Sequence, residues 1–337
     1  MKVLLTGAGG SIGVHFVAHI MHNTDWDLVA TDSFRHKGEF DRITEVCKDH
    51  PDWKERIVVL QHDLTAPFSE RQITKLKDVD YVINLASLSD VQASIDDPVP
   101  FLKNNHDIMV NMLELARVIK PEVFLHFSTD EVYGPAAIDQ AHAEWSTILP
   151  SNPYAASKAA QEAYAIAYWR SYGVPVIITN TMNNFGEMQQ SSKYPVKIQK
   201  AVEKGEQVTV HAAGDGQIGT RFYLHSRNAA DAVLFILKNT KPYLHKPGEV
   251  DRPDRYNIVG SEQVDNLTLA KDIANAMDMP LRYKLVDFHS KQPGHDLHYG
   301  LDGYKLTSLG WTAPVSYEDS LKSTIQWQQE HKEWISE

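Results

Sequence analysis

The chain opens on a short apolar run, Lys2-Val3-Leu4-Leu5-Thr6. It passes directly into Gly7-Ala8-Gly9-Gly10-Ser11-Ile12-Gly13 and then into an amphipathic stretch. A strand that turns into a helix over glycines spaced three apart needs positive φ and a backbone bare of Cβ atoms, so that a pyrophosphate can reach the N–H groups at the helix start. Gly7, Gly10, Ser11, Ile12 and Gly13 are the residues expected to form that cradle, and Gly13 would also let the helix pack closely on the sheet.

The pattern continues for about 180 residues. Strands are expected at Lys2–Thr6, Asp27–Thr31, Ile57–Gln61, Tyr81–Leu85, Val123–Ser128 and Val176–Thr179, with helices at Ser11–His22, Asn104–Ile119 and Pro153–Tyr172. Near-continuous apolar strands alternating with helices imply an α/β protein: a Rossmann-type, doubly wound parallel sheet buried on both faces. Beyond residue 180 turn-rich stretches at 212–219 and 241–253 alternate with expected helices Ala229–Leu237, Leu267–Met277 and Tyr317–Glu330. The expected division is a dinucleotide-binding domain over 1–180 and a smaller substrate-binding α/β domain over 181–337, with some of its segments returning to the first.

Composition narrows the function. The formal charge of −11 disfavours a non-specific nucleic-acid binder, and a single cysteine, Cys47, rules out an intrachain disulfide and a cysteine-based zinc site. None of the 16 histidines stands in a familiar metal-ligand spacing, so no metal is expected. The glycine turn follows the first residues at once and no apolar run reaches spanning length. A cytoplasmic protein without a membrane segment is therefore expected.

Asp32 ends the second expected strand, 19 residues after Gly13, where a carboxylate can accept from adenosine ribose hydroxyls. It would repel a 2′-phosphate and so favours NAD over NADP, a preference that Arg35 and Lys37 weaken. Asp63 and Leu64 follow the third strand and suit the adenine edge, although a helix N-cap explains Asp63 nearly as well. Tyr154 and Lys158 are spaced to share one helix face. An ammonium beside the phenol would lower its pKa and let it act as a base, while Lys158 could also hold the nicotinamide ribose. Ser128-Thr129-Asp130-Glu131-Val132-Tyr133-Gly134 closes the fifth strand, at the edge where open parallel sheets bind ligands. Two adjacent carboxyl groups are unexpected there, because burying them without partners is unfavourable.

These three stretches, the last being Asn152-Pro153-Tyr154-Ala155-Ala156-Ser157-Lys158, resemble the signatures of extended short-chain dehydrogenases/reductases. The Thr-Asp-Glu triplet resembles that of dTDP-glucose 4,6-dehydratases; sugar 4-epimerases usually carry small or hydroxyl residues there. Asn105, Asn183-Asn184-Phe185-Gly186, Arg221, Tyr256-Asn257-Ile258, Pro293-Gly294-His295-Asp296 and Leu309-Gly310-Trp311 extend the resemblance along most of the chain. It implies a bound NAD, lined also by Leu85 and Ala86, and a redox-neutral removal of water from a nucleotide diphosphate sugar. Tyr154 would take the C4 hydroxyl proton with Thr129 bonding that oxygen, Glu131 would remove the C5 proton, and Asp130 would protonate the departing C6 hydroxyl. Ser89, Asn184, Arg221, Asn257 and His295 would contact the substrate, with Arg221 the pyrophosphate candidate and a structural arginine its alternative. The resemblance also implies a homodimer built as a four-helix bundle from the Asn104–Ile119 and Pro153–Tyr172 helices.

Departures fall on substrate recognition. Gln292 stands where arginine is usual, Asn84 and Asp90 where histidines are usual, and the loop 211–221 is longer. The nucleotide and the hexose are therefore left open. A 4-epimerase using only Tyr154 and Lys158 is the alternative enzyme, and a non-catalytic NAD-binding regulator the alternative outside enzymes.

Overall fold

The computed structural model describes residues 1–36, 39–138, 140–289 and 294–335; Lys37, Gln292 and Pro293 lie outside the described residues. In chain order the strands are β1 (Lys2–Thr6), β2 (Asp27–Asp32), β3 (Ile57–Gln61), β4 (Tyr81–Asn84), β5 (Val123–Thr129), β6 (Val176–Thr181), β7 (Asn183–Phe185), β8 (Val208–Ala212), β9 (Thr220–His225), β10 (Asp254–Ile258), β11 (Gln263–Asp265) and β12 (Tyr283–Asp287). The helices are α1 (Gly13–Asn23), α2 (Glu39–Cys47), α3 (Glu70–Leu76), α4 (Val91–Asp96), α5 (Pro98–Ile119), α6 (Pro153–Tyr172), α7 (Tyr194–Glu203), α8 (Ser226–Asn239), α9 (Asn266–Ala276), α10 (Tyr304–Ser308) and α11 (Tyr317–Glu330).

Seven strands form one parallel sheet in the order β10-β6-β5-β4-β1-β2-β3. Alternation across β1 shows why its sequence is apolar throughout. Val3 and Leu5 enter the core beneath α1 and α8, while Leu4 enters the opposite core with Met109, Met112, Phe124 and Trp169. All three are fully buried, so truncating any of them to Ala would remove about 2–5 kcal/mol. Helices on both faces make the sheet doubly wound, and the strand order reverses between β1 and β4. Beyond the carboxyl ends of the strands at that point, a crevice opens.

Helix ends differ from the sequence expectation where caps decide them. The helix expected from Asn104 starts at Pro98, whose fixed φ suits the first helical position. The helix expected from Ser11 starts at Gly13, because the glycine turn continues through Ile12.

Residues beyond 180 contribute to both parts. Strand β10 pairs with β6 as the seventh strand, and α8 packs on α1. The rest forms a lobe with its own core, including Phe185, Ile198, Val210, Tyr223, Ile273, Leu321 and Ile325. Its sheets are small, β11-β9-β7 and β12-β8. The lobe is tied to α1 by Glu187, whose carboxylate lies 3.2 Å from His225 Nε2 and 3.5 Å from His15 Nε2. These three groups could surround a cation. However, His225 Nδ1 accepts the Arg227 N–H at 3.0 Å, so the neutral ring carries its proton on Nε2, toward Glu187. In that state the set is a polar tie, with the His225 N–H facing Glu187 and His15 beside it at 3.5 Å.

Candidate active site

The glycine turn is built by sterics and pinned from both sides. Gly7 has φ +68°, and a Cβ on Gly13 would stand 1.9 Å from the Gly7 carbonyl oxygen. No side chain fits there, which leaves the backbone open to a pyrophosphate. Asp32 Oδ2 accepts the Gly9 N–H at 3.0 Å, and buried Arg42 donates to the Gly9 carbonyl at 3.1 Å. The Asp32 carboxylate is therefore held at the crevice by the turn it faces. Arg35 bridges Asp63 and Asn104, at 3.3 and 3.0 Å. Asp63 also accepts from the Thr65 backbone and hydroxyl, so it does the work of a turn cap as well as lining the crevice.

A crevice of about 500 Å³ is lined by Gly7, Gly10, Ser11, Ile12, Gly13, Asp32, Asp63, Leu64, Leu85, Ala86 and Ser89. Thr129, Asp130, Glu131, Tyr154, Lys158 and Asn184 line it as well. Strand β5 delivers Thr129, and the 3-10 turn Asp130–Tyr133 that follows turns both carboxyl groups into it. Thr129 donates to Asp130 Oδ1 at 3.0 Å, whereas Asp130 Oδ2 is buried with no partner. Burial, with the Glu131 charge beside it, pushes the Asp130 carboxyl up to about 7. Burial also raises Glu131, opposed by a hydrogen bond from Asn152 and by the charge of Arg221. Asp130 is thus poised to carry a proton near neutrality on its unpartnered oxygen, beside Glu131, which receives the Asn152 amide.

Tyr154 and Lys158 lie on the first turns of α6, which Asn152 caps by accepting the Ala155 N–H. Here the sequence expectation needs correction. Lys158 donates to the Phe127 carbonyl at 2.9 Å, and burial pushes its ammonium down to about 7. The Tyr154 hydroxyl is raised well above its ordinary value by burial and by the Glu131 and Asp130 charges, opposed by a hydrogen bond with Thr129. Burial dominates the phenol, and the charges that act on it are those of the carboxyl pair, not the ammonium.

Behind this front stands a fully buried ion pair, Arg255–Glu162 at 2.7 Å, with the guanidinium 4.2 Å from the Trp145 ring centroid. Asn180 links Glu162 to the Thr129 carbonyl, at 2.8 and 3.0 Å, so β10 and α6 brace the end of β5. Sequence reading missed this pair, because its members lie 93 residues apart. It missed Lys193 too, a crevice residue whose ammonium burial pushes down, opposed by the charges of Asp90 and Glu131.

The other expected substrate residues separate. Arg221 and His295 line an adjoining cavity of about 470 Å³ with Lys197, His211, Phe288 and His289. Arg221 already donates to the carbonyls of Thr220, Asp296 and Leu297 at 2.7–2.8 Å and lies over the Tyr299 ring. His295 contacts Gln92 at 2.9 Å. Asn257 lies elsewhere. It is fully buried on β10, and its amide donates to the His142 and Asp302 carbonyls, which removes it from the crevice.

This glycine cradle beside a Tyr-x-x-x-Lys helix, at the switch point of a parallel sheet, defines an NAD-dependent extended short-chain dehydrogenase/reductase. The family model described as GDP-mannose 4,6 dehydratase matches residues 4–324, and the chain belongs to that family. A dTDP-glucose 4,6-dehydratase of Neisseria meningitidis serogroup B is 32% identical over 99% of this chain and 94% of its own. The crystal structure of a dTDP-glucose 4,6-dehydratase from Streptomyces venezuelae, with NAD bound, superposes with a TM-score of 0.84 at 27% identity. It covers 99% of this chain and 98% of that one. A UDP-glucuronic acid 4-epimerase from Bacillus cereus reaches 0.85 at 22% identity, over 98% of this chain and 100% of its own, and shares the fold. No described helix is long and apolar enough to cross a membrane.

Proposed function

We propose that this chain converts an NDP-hexose into an NDP-4-keto-6-deoxyhexose and water, with Thr129, Asp130, Glu131, Tyr154 and Lys158 as its reacting set. The observation that carries the reading is the pair Asp130 and Glu131 in one crevice with Tyr154, in unlike environments. An epimerase has no use for two such groups; a dehydration needs a base and an acid at once. Family membership and the full-length dehydratase relatives support the same reaction.

NAD would fit the Cβ-free cradle, with Asp32 placed to hold its adenosine ribose, and would supply oxidation at C4 and return of the hydride at C6. The chain moves the protons. Tyr154 takes the C4 hydroxyl proton only as phenolate, so its own proton has to leave first, against the burial and carboxylate charges that raise it; Thr129 bonds the same sugar oxygen. The C4 ketone acidifies C5, and Glu131 takes the C5 proton. Asp130, protonated near pH 7, gives its proton to the C6 hydroxyl, which leaves as water. The 5,6-ene left behind would then take the hydride back at C6 and a proton from Glu131 at C5, and the proton removed from the C4 hydroxyl would replace the one Asp130 lost. Lys158, which lines the same crevice, would hold the cofactor ribose.

Arg221, His295, Asn184 and Ser89 border the substrate side. A homodimer through α5 and α6 is supported by the packing of these helices on each other and by Val99, Leu102, Val118 and Tyr172, exposed along them. A cytoplasmic location fits a nucleotide-sugar substrate. The test is incubation with dTDP-, UDP-, CDP- and GDP-hexoses, read by mass spectrometry. Loss of one water from a donor establishes the reaction and names the nucleotide; an isomer of unchanged mass overturns it.

A further inference from the structure

Asn152 sits at a junction that the reaction scheme does not use. It is buried, it caps α6, and it touches Glu131, 21 residues earlier in the chain. Its side-chain oxygen accepts the Ala155 N–H at 2.8 Å. Its amide nitrogen donates to Glu131 Oε2 at 2.9 Å and to the Gly294 carbonyl at 3.1 Å. The orientation is not ambiguous. Ala155 offers a backbone donor and Gly294 a backbone acceptor, so a flipped amide would set like against like at both ends. The NH2 group must face Glu131, and a donor there favours the carboxylate form.

Asp130 is treated differently. Its Oδ1 receives the Thr129 hydroxyl, and its Oδ2 is buried and unpartnered, free to carry a proton. The other groups facing Glu131 do not make this distinction alone. Asp130 and Asp296 oppose its charge, Tyr154 and Tyr299 are kept as neutral phenols by it, and Arg221 and Lys193 favour it, but Arg221 favours the Asp130 charge as well.

Resting on the dehydratase reading for its chemistry, we propose that Asn152 is a positioning residue that reserves Glu131 as the proton acceptor and leaves Asp130 as the proton donor. The cap that starts the Tyr154 helix thereby also assigns the roles of the two acids.

Two substitutions separate the cap from the contact. Asn152→Ser keeps a good N-cap but is too short to reach Glu131; Asn152→Asp keeps cap and shape but turns the donor into a negative acceptor. The first measurement needs no turnover: a 13C NMR titration of Glu131 in the ligand-free protein, with the resonance assigned by its loss in Glu131→Gln. Losing a charge-assisted hydrogen bond should raise the Glu131 midpoint by ~1 pH unit in Asn152→Ser, and by more in Asn152→Asp. In the active enzyme a base is lost as pH falls through its pKa, so the acidic limb of kcat should move up by the same amount. C5 deuteration should then slow kcat more than in the unsubstituted enzyme. A Glu131 midpoint unchanged in both variants would overturn the proposal, even if thermal unfolding shows a weakened cap. If the midpoint shifts but no NDP-hexose is turned over, the assignment of the contact stands and the dehydratase reading falls.

Discussion

The two sides of the site differ in what their polar groups do in the protein alone. On the side of β1 and β5 the cradle is bare backbone, and Asp130 Oδ2 is unpartnered. On the side of the C-terminal lobe, Arg221 is occupied by three carbonyls. The first side is shaped in advance by steric rules; a ligand at the second would have to exchange these internal bonds for its own. Cofactor binding and proton transfer should therefore depend on rigid geometry near β1 and β5, and substrate affinity on rearrangement near Arg221.

The largest effects belong to the first side. Asp130→Asn or Glu131→Gln should lower kcat by ~10²–10⁴-fold, the usual contribution of a positioned acid or base. KM should change little, as steady-state kinetics on the accepted donor would show. Because Asp130 must be protonated to act and burial holds it near 7, kcat should decline as pH rises through about 7. Asp130→Asn should lack that alkaline limb in its residual rate. If both variants kept full turnover, the epimerase reading would gain.

Gly13→Val comes next. Its branched side chain would project into the Gly7 carbonyl, so the turn has to shift, and NAD affinity should fall by ~10–100-fold, the effect of overpacking a tight contact. Calorimetric titration with NAD measures this directly, and an unchanged affinity would show that the cradle adapts, which removes half of the contrast. Arg221→Lys probes the opposite side while keeping the charge. The loss of fork geometry should raise KM by ~10-fold and leave kcat nearly unchanged. A fall in kcat instead would place Arg221 among the groups that tune Asp130 and Glu131.

The same contrast governs what can be read from sequence. Strand β1 is legible because each of its core residues meets an apolar neighbour, and glycines mark the turn after it. Strand β10 gives no such signal. Asp-Arg-Tyr-Asn-Ile has no apolar run, yet every residue is buried, with Asp254 paired to Lys305, Arg255 to Glu162 and the Asn257 amide to a backbone carbonyl. Its partners are distant in sequence, and a hydrophobic pattern cannot reveal them. Pairing of β8 with β12 joins residues 75 apart across half-exposed edges, with the same result. At the site, Tyr154 and Lys158 were legible as a pair because their spacing is local. The sign of the effect on Tyr154 was not, because the dominant charges come from another element. Asn152 was visible as part of a motif, but its contact with Glu131 needs three dimensions.

The smallest expected effect tests the tie between the two sides. Glu187 holds His225 and faces His15, joining the lobe to the cradle helix α1. Its carboxylate lies far below the usual range; burial pushes it up, but the hydrogen bond from His225 and the neighbouring imidazoles outweigh that. A carboxylate held low stabilises the fold above its unfolded pKa, and that stability is lost as pH falls. His15 acts in the same direction. Burial lowers it from 6.5 to about 4, so the unfolded chain binds its proton first, and stability declines as pH drops from 6.5 toward 4. Glu187→Gln keeps the shape but weakens the acceptor, which should cost ~1–3 kcal/mol, or roughly 2–10 °C in Tm at pH 7. Calorimetry across pH 4–7 measures both. A Glu187→Gln protein that melts like the unsubstituted one, with the same pH slope, would mean that the lobe is held by packing alone.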